Sequence, residues 1–209
     1  MSTPAHRSPK GEARRAQILD EALAVLTEHR YDDTTIAQIA ERVGVTPSGV
    51  MHYFPTKSSL FAEVLSWRQT RWQASRPPHE GQLDSLSTAV LANQNSRGIV
   101  ELYANTAVRA VDPAHEAHQF FQSHFHDIAQ RLRVDLEQRQ RAGELAAEVD
   151  VAALARILMA VSDGLQVQWL FDADVRVAAD YTTLLSLLGL STTPLPSGST
   201  DESPARSTR

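Results

Sequence analysis

The chain contains no cysteine, which removes disulfides, thiolate nucleophiles and cysteine-ligated zinc together. It has no apolar run near the roughly 18 residues that a membrane-spanning helix needs, so no membrane partner is expected. The opening residues, MSTPAHRSPK, lack the apolar core of a secretory signal. These absences lead us to expect a cytoplasmic protein. Also missing are a glycine-rich phosphate loop, a Gly-x-Ser-x-Gly elbow and a His-Glu-x-x-His zinc motif. We therefore expect no catalytic residues, no metal and no cofactor, although an all-helical enzyme or small-molecule binder built on scattered carboxylates stays open as an alternative. No internal repeat and no convincing strand pattern is found. What remains is 209 residues with 42% hydrophobic and 22% charged side chains, an ordinary globular composition large enough for one or two domains.

Charge is short of positive sign overall, at −5, but unevenly so. Residues 1–76 carry ten Lys or Arg against eight Asp or Glu, and the remainder carries ten against seventeen. A weakly basic front and an acidic body fit a molecule that presents one end to nucleic acid.

The stretch from Thr34 to Lys57, TTIAQIAERVGVTPSGVMHYFPTK, is the most informative. Thr35 with Gln38 three residues on reads as a capping box. Ile36, Ile39, Ala40 and Val43 then form one apolar helical face. Gly44 marks a sharp bend, Val45 an apolar plug, and Thr46-Pro47 a hydroxyl cap followed by proline at the first helical position. Val50 and Phe54 point inward. A helix, a tight turn and a second short helix make a helix-turn-helix, whose second helix is shaped for a DNA major groove. Small residues at its start (Thr46, Pro47, Ser48, Gly49) allow close approach to phosphate or base edges. His52, Tyr53 and Lys57 can donate to phosphate oxygens. Lys10, Arg14 and Arg15 form either a solvated helix start or an arm toward DNA.

Residues from about Arg14 to Leu65 resemble the DNA-binding domain of the TetR family of transcription regulators. The resemblance is carried by Arg15–Ile18, Thr34-Thr35-Ile36, Ile39-Ala40, Val43-Gly44-Val45, Gly49, His52-Tyr53-Phe54, Lys57 and Leu60. It implies DNA contacts at Thr35, Thr46, Ser48, Gly49, His52, Tyr53 and Lys57; Arg14 and Pro47 join them from the reading of the residues. Two positions depart. Met51 stands where relatives often carry a phosphate-touching tyrosine. Arg30 stands where they often carry glycine, which would strain the arginine if that position required φ > 0.

Around this unit the sequence predicts further helices, nine in all. Arg14 to His29 carries a stripe of Ile18, Leu19, Ala22, Val25 and Leu26. Thr56 caps a fourth helix with Leu60, Phe61, Val64 and Leu65 inward, running through Trp67 and Trp72 to Pro77-Pro78. Two helices follow by Arg109, marked by Leu83, Leu86, Val90 and Leu91 and by Ile99, Leu102, Tyr103 and Thr106. Asp112-Pro113 predicts the start of a long helix to Gly143, striped by Phe121, Phe125, Ile128, Leu132 and Leu136. Asp150 caps a helix that is apolar nearly all round from Val151 to Val161, and such a helix is buried on two sides. A last helix carries Val177, Tyr181, Leu184, Leu185 and Leu188 and ends at Gly189. His115, His118, His124 and His126 suggest a metal cluster, but His118 and His126 lie about 12 Å apart along a helix axis, too far for one ion. His124 and His126 are better placed to hydrogen-bond a ligand.

The expected architecture is all-α: a disordered arm over 1–11, a helix-turn-helix DNA-binding domain over 12–58, a ligand-binding and dimerisation domain over 59–190, and a disordered tail over 191–209. Asp163 to Leu170 (DGLQVQWL) with the final helix also resembles a C-terminal domain class within the same family. That resemblance implies a cavity among the fourth to eighth helices, for which Trp67, Trp72, Tyr103, Thr106, Phe121, His124, Phe125 and Trp169 are candidates. It further implies a four-helix bundle between symmetry mates, with Leu154, Leu158, Val161, Leu165, Tyr181, Leu184 and Leu188 as candidate interface. The expected function is a ligand-responsive repressor that binds palindromic double-stranded operator DNA as a homodimer under a small-molecule effector. An activator or a ligand-independent regulator of the same fold is the alternative.

Overall fold

The computed structural model describes residues 8–77 and 81–192. The readings of residues 1–7, of Pro78 and of the tail from residue 193 lie outside the described residues. Those described form nine helices and no strand: α1 Pro9–Glu28, α2 Ile36–Val43, α3 Pro47–Tyr53, α4 Lys57–Ser75, α5 Gln82–Asn93, α6 Arg97–Arg109, α7 His118–Arg141, α8 Val151–Phe171 and α9 Val177–Leu187. None is long and apolar enough to cross a membrane.

Helix α1 starts earlier than the sequence suggested. The Ser8 side chain accepts from Gly11 N and Pro9 stands at the first helical position, so Ser8–Gly11 belong to a helix start rather than to a mobile arm. Thr35 and Gln38 close the capping box of α2, and Gly44 ends that helix at φ 71. Thr46 caps α3 by accepting from Gly49 N. Arg30 is unstrained, since no non-glycine residue described has positive φ. Its Nε instead donates to Glu101 at 3.1 Å.

The long helix expected from Asp112-Pro113 begins only at His118. The Asp112 carboxylate accepts from Ala114 N, closing a turn two residues long instead of capping a helix. His115 Nδ1 accepts from Ala117 N, and His118 Nδ1 lies 2.8 Å from the Ala110 carbonyl, so both imidazoles bind loop backbone. Among the described residues no group of side chains is arranged to hold a metal. Helix α5 has no cap of its own; Asp135 of α7 accepts from Leu83 N at 2.8 Å.

Two apolar cores result. One joins α1, α2 and α3 to α4 and α6 through Ile18, Leu26, Ile39, Val50, Phe54, Phe61 and Leu102. The other joins α5, α7, α8 and α9 through Leu83, Leu132, Leu136, Leu158, Tyr181 and Leu185. The first core runs across residue 58, so the three-helix unit rests on α4 and α6 rather than standing alone. Gly98 makes the closest approach: a Cβ there would lie 2.1 Å from the His29 carbonyl and 2.4 Å from that of Leu26. The buried Glu101 adds a polar clamp at the same junction, accepting from Tyr31 N at 3.0 Å and from the Nε atoms of Arg30 and Arg97 at 3.1 Å.

Candidate nucleic-acid interface and body cavity

Helix α3 is held by its inner face. Val50 and Phe54 are fully buried, and the Arg15 guanidinium lies 4.9 Å above the Phe54 ring. With those anchors inside, Thr46, Pro47, Ser48, Met51 and His52 are exposed, and Gly49 and Tyr53 are half-buried. Thr46 Oγ1 lies 2.9 Å from Ser48 Oγ and accepts from Gly49 N, so the first turn is ordered before any ligand arrives. At Gly49 a Cβ would just touch Thr46 Oγ1 and Val45 Cβ, each at 3.4 Å, so the glycine keeps this turn slim rather than relieving a clash. The His52 and Tyr53 rings sit edge to face at 5.3 Å.

The remaining members of the expected contact set are placed differently. Thr35 is exposed, with its hydroxyl and N–H engaged by Gln38. Lys57 Nζ lies 5.2 Å from the ring centres of both Tyr31 and Phe61 and would have to leave them to reach a phosphate. Arg14 donates to the Val43 carbonyl at 3.2 Å and to Gln17, closing the end of α2 rather than extending as an arm.

Between the two cores lies a cavity of about 140 Å³, walled by α4, α5, α6, α7 and α8. Of the eight residues expected from the sequence, Trp72, Tyr103 and His124 line it. Trp67 turns to the first core, and its indole donates to Asp20 of α1 at 2.8 Å. Phe121 is buried behind Tyr103, 5.1 Å between ring centres. Thr106 is buried away from the cavity, Phe125 is exposed, and Trp169 lies beneath the Arg97 guanidinium. His126 is exposed.

The polar wall was not anticipated. Arg68 donates to Asn93 Oδ1; Asn93 Nδ2 donates to Gln166 Oε1 at 2.6 Å; and Gln166 donates to the Ser162 carbonyl. Tyr103 donates a long hydrogen bond of 3.5 Å to Asp163. Burial pushes the Asp163 carboxyl up to about 6, against the opposing effect of that hydrogen bond. Burial also pushes the Arg68 guanidinium down. His124 is lowered to about 4, first by burial and then by the positive charges of Arg131 and Arg68. A signal for these residues existed. Arg68 falls between Leu65 and Trp72 on the inward face of α4, and Asp163 interrupts an apolar helix. A polar group on an apolar stripe is the mark of a lined cavity.

The expected dimer residues divide. Leu154, Leu158 and Tyr181 are inside the chain's own second core and cannot form an interface. Val161, Leu165, Leu184 and Leu188 are half-buried on the flank of that core. The apolar face turned outward on α8 is the neighbouring one: Ile157, Ala160, Val167 and Phe171, the last 90% exposed, with Leu187 of α9 80% exposed.

Residues 18–64 match the family model described as bacterial regulatory proteins, tetR family. The chain is 29% identical over 182 residues to the probable HTH-type transcriptional regulator ArpR of Pseudomonas putida, covering 80% of this chain and 86% of that protein. It is 27% identical over 123 residues to the HTH-type transcriptional repressor KstR2 of Rhodococcus jostii, where the match spans 57% of this chain and about half, 53%, of that protein. A solved TetR transcription regulator from Haloarcula marismortui superposes with a TM-score of 0.70 at 21% identity, over 85% of this chain and 97% of the other. Among the described residues a helix-turn-helix unit, α1–α3, capped as its sequence demands, is followed by six further helices; residues 18–64 match the TetR family of bacterial regulatory proteins, and the chain shares the fold of the solved TetR regulator.

Proposed function

We propose that the protein is a sequence-specific transcription regulator, a repressor that binds a near-palindromic operator as a homodimer and whose grip on DNA is set by a small molecule in the body cavity. The family consists of regulators and not of enzymes. The observation that carries the reading is the outward face of α3: Thr46, Pro47, Ser48 and His52 are exposed while Val50 and Phe54 lock the opposite face into the core. A short helix so anchored can enter a major groove without unfolding. The relatives named as a repressor and a transcriptional regulator support the same reading.

Two such helices reading one palindrome must be related by a two-fold axis and lie about 34–36 Å apart. The exposed apolar face of α8 and α9 is the surface that supports such pairing. The cavity supports control: it lies between the core that carries the reader and the core that carries α8 and α9, so filling it can favour one spacing of the two readers over another. Such coupling amounts to about 1–3 kcal/mol, which changes occupancy 5- to 150-fold.

Genomic fragments captured by the protein test this. Affinity for the selected fragments is expected to fall steeply with salt, the logarithm of the binding constant dropping by about 0.9 per phosphate neutralised. Replacing His52 or Tyr53 with alanine is expected to weaken binding by about 1–3 kcal/mol without changing the fold. Salt-insensitive binding, or full affinity in both variants, would overturn the assignment of α3 as reader.

A further inference from the structure

The cavity reads more narrowly than "small molecule". The charged side chains in its wall are Arg68, Arg76 and Arg131 on the positive side and Asp163 alone on the negative. Arg76 is occupied near the rim, donating to Gln82 and to the Gly81 carbonyl. Arg68 and Arg131 have no carboxylate partner among the described residues. Arg68 is drawn out of water and satisfied only by the amide of Asn93, and Nε of Arg131 is buried with no partner at all. A buried guanidinium without a counter-charge is costly, and a carboxylate is the group that fits its planar fork. His124, stacked on Phe120 at 5.3 Å with Nδ1 2.8 Å from Gln69 Oε1, has its pKa lowered to about 4 by burial and by the charges of Arg131 and Arg68, so it adds no charge at neutral pH.

The adjoining groove points the same way. A second, more open groove between α4 and α7 adjoins the cavity, sharing Gln69, Gln73, Phe120, His124 and Arg131 with it. Its carboxylates are outside: Glu63, which pairs with Arg15; Glu116, which accepts from Thr56; and Asp127. Arg131 thus stands where groove and cavity meet, while Arg68 lines the inner cavity only. The rest of that wall, Leu65, Trp72, Val90, Ile99 and Ile128, is apolar. The volume, about 140 Å³, is close to that of a cavity that holds one benzene ring, for which about 150 Å³ suffices.

We propose that the cavity takes a small organic acid of one ring or a short chain, its carboxylate on the Arg68 guanidinium and its apolar body against Leu65, Trp72, Val90 and Ile99. This deepens the effector reading above and rests on it only for the consequence at DNA. Arg68 lies on α4, the helix whose Trp67 and Arg71 hold Asp20 of α1 at 2.8 Å each, so an anion on Arg68 pulls directly on the helix that carries the reader.

The test uses the full chain and three matched probe series: benzoate, phenylacetate and hexanoate; the neutral amides of the same skeletons; and the corresponding amines. Binding is read by calorimetry and by tryptophan emission, since Trp72 is in the wall. At least one acid is expected to bind, with its amide and amine at least tenfold weaker. Arg68→Met is expected to lose at least tenfold in acid affinity, while Arg68→Lys retains part of it. Arg68→Met removes a buried charge and is expected to fold, which its melting temperature checks. Amides or amines binding as well as acids, undiminished acid binding by a folded Arg68→Met, or no acid binding up to about 10 mM would each overturn the assignment. Capture of genomic fragments with and without probe is scored separately. Arg68-dependent acid binding that leaves DNA capture unchanged upholds the ligand class and sinks the effector reading. Amine binding that alters DNA capture does the reverse.

Discussion

Two titratable residues in the cavity wall shape the pH response in opposite directions. His124 has its pKa lowered from 6.5 to about 4, so as pH falls the unfolded chain takes the proton first. Its contribution to stability is complete above about 6.5 and is lost as pH falls through about 4. An NMR titration of the His124 ring is expected to show a midpoint near 4; one near 6.5 would mean that the ring is solvated. Asp163 is the converse case. Its pKa is raised from 3.8 to about 6, so its contribution is complete below about 3.8 and is lost as pH rises through 6. Asp163→Asn keeps an acceptor for Tyr103 and removes the buried charge. It is expected to stabilise the protein by about 1–2 kcal/mol at pH 7.5 and by almost nothing at pH 4, measured by chemical denaturation.

Two glycines separate conformational need from spatial need at the level of the helices. Gly44 ends α2 at φ 71 with nothing within 4 Å of where a Cβ would stand, so Gly44→Ala carries only the backbone cost of about 1 kcal/mol. Gly98 has no such conformational demand, but α1 and α6 touch through it, and a Cβ would collide with two carbonyls of α1. Gly98→Ala is expected to cost about 3 kcal/mol or more and to loosen the reader from the body. Equal losses in the two variants, compared by urea unfolding, would refute the tight α1–α6 contact. The first of these glycines was legible from its neighbours, since a capped apolar run that stops at Gly-Val announces a left-handed residue. The second was not: nothing in SRGIV says that the end of α1, some seventy residues earlier, lies against it.

For the whole molecule, the proposed pairing of two copies is tested at the outward face of α8 and α9. Phe171→Asp combined with Leu187→Asp places two charges on exposed positions and leaves both cores untouched. Sedimentation is expected to show a folded monomer, with operator affinity reduced at least tenfold because the two readers are no longer linked. A dimer that survives both changes would locate the interface elsewhere. Of the stripe expected from the sequence, Leu154, Leu158 and Tyr181 are taken up by the chain's own core, while Val161, Leu165, Leu184 and Leu188 stay partly exposed beside the outward face. Leu154, Leu158, Val161 and Leu165 follow helical spacing perfectly, and periodicity states that they share a face. It does not state whether that face meets α9 of the same chain or a second copy.

The sequence by itself determined the reader. The capping box at Thr35 and Gln38, the left-handed Gly44, the cap and proline at Thr46-Pro47 and the inward Val50 and Phe54 are local instructions, satisfied within a few residues of where they are written. Only the tertiary structure decided the body. Which of two apolar faces is inside, which aromatics reach the cavity, and that Arg68, Asn93, Asp163 and Gln166 meet across it all depend on contacts between helices far apart in the chain. Propensity and periodicity act over single helices, whereas the charge left unpaired in the cavity is a property of five helices packed together.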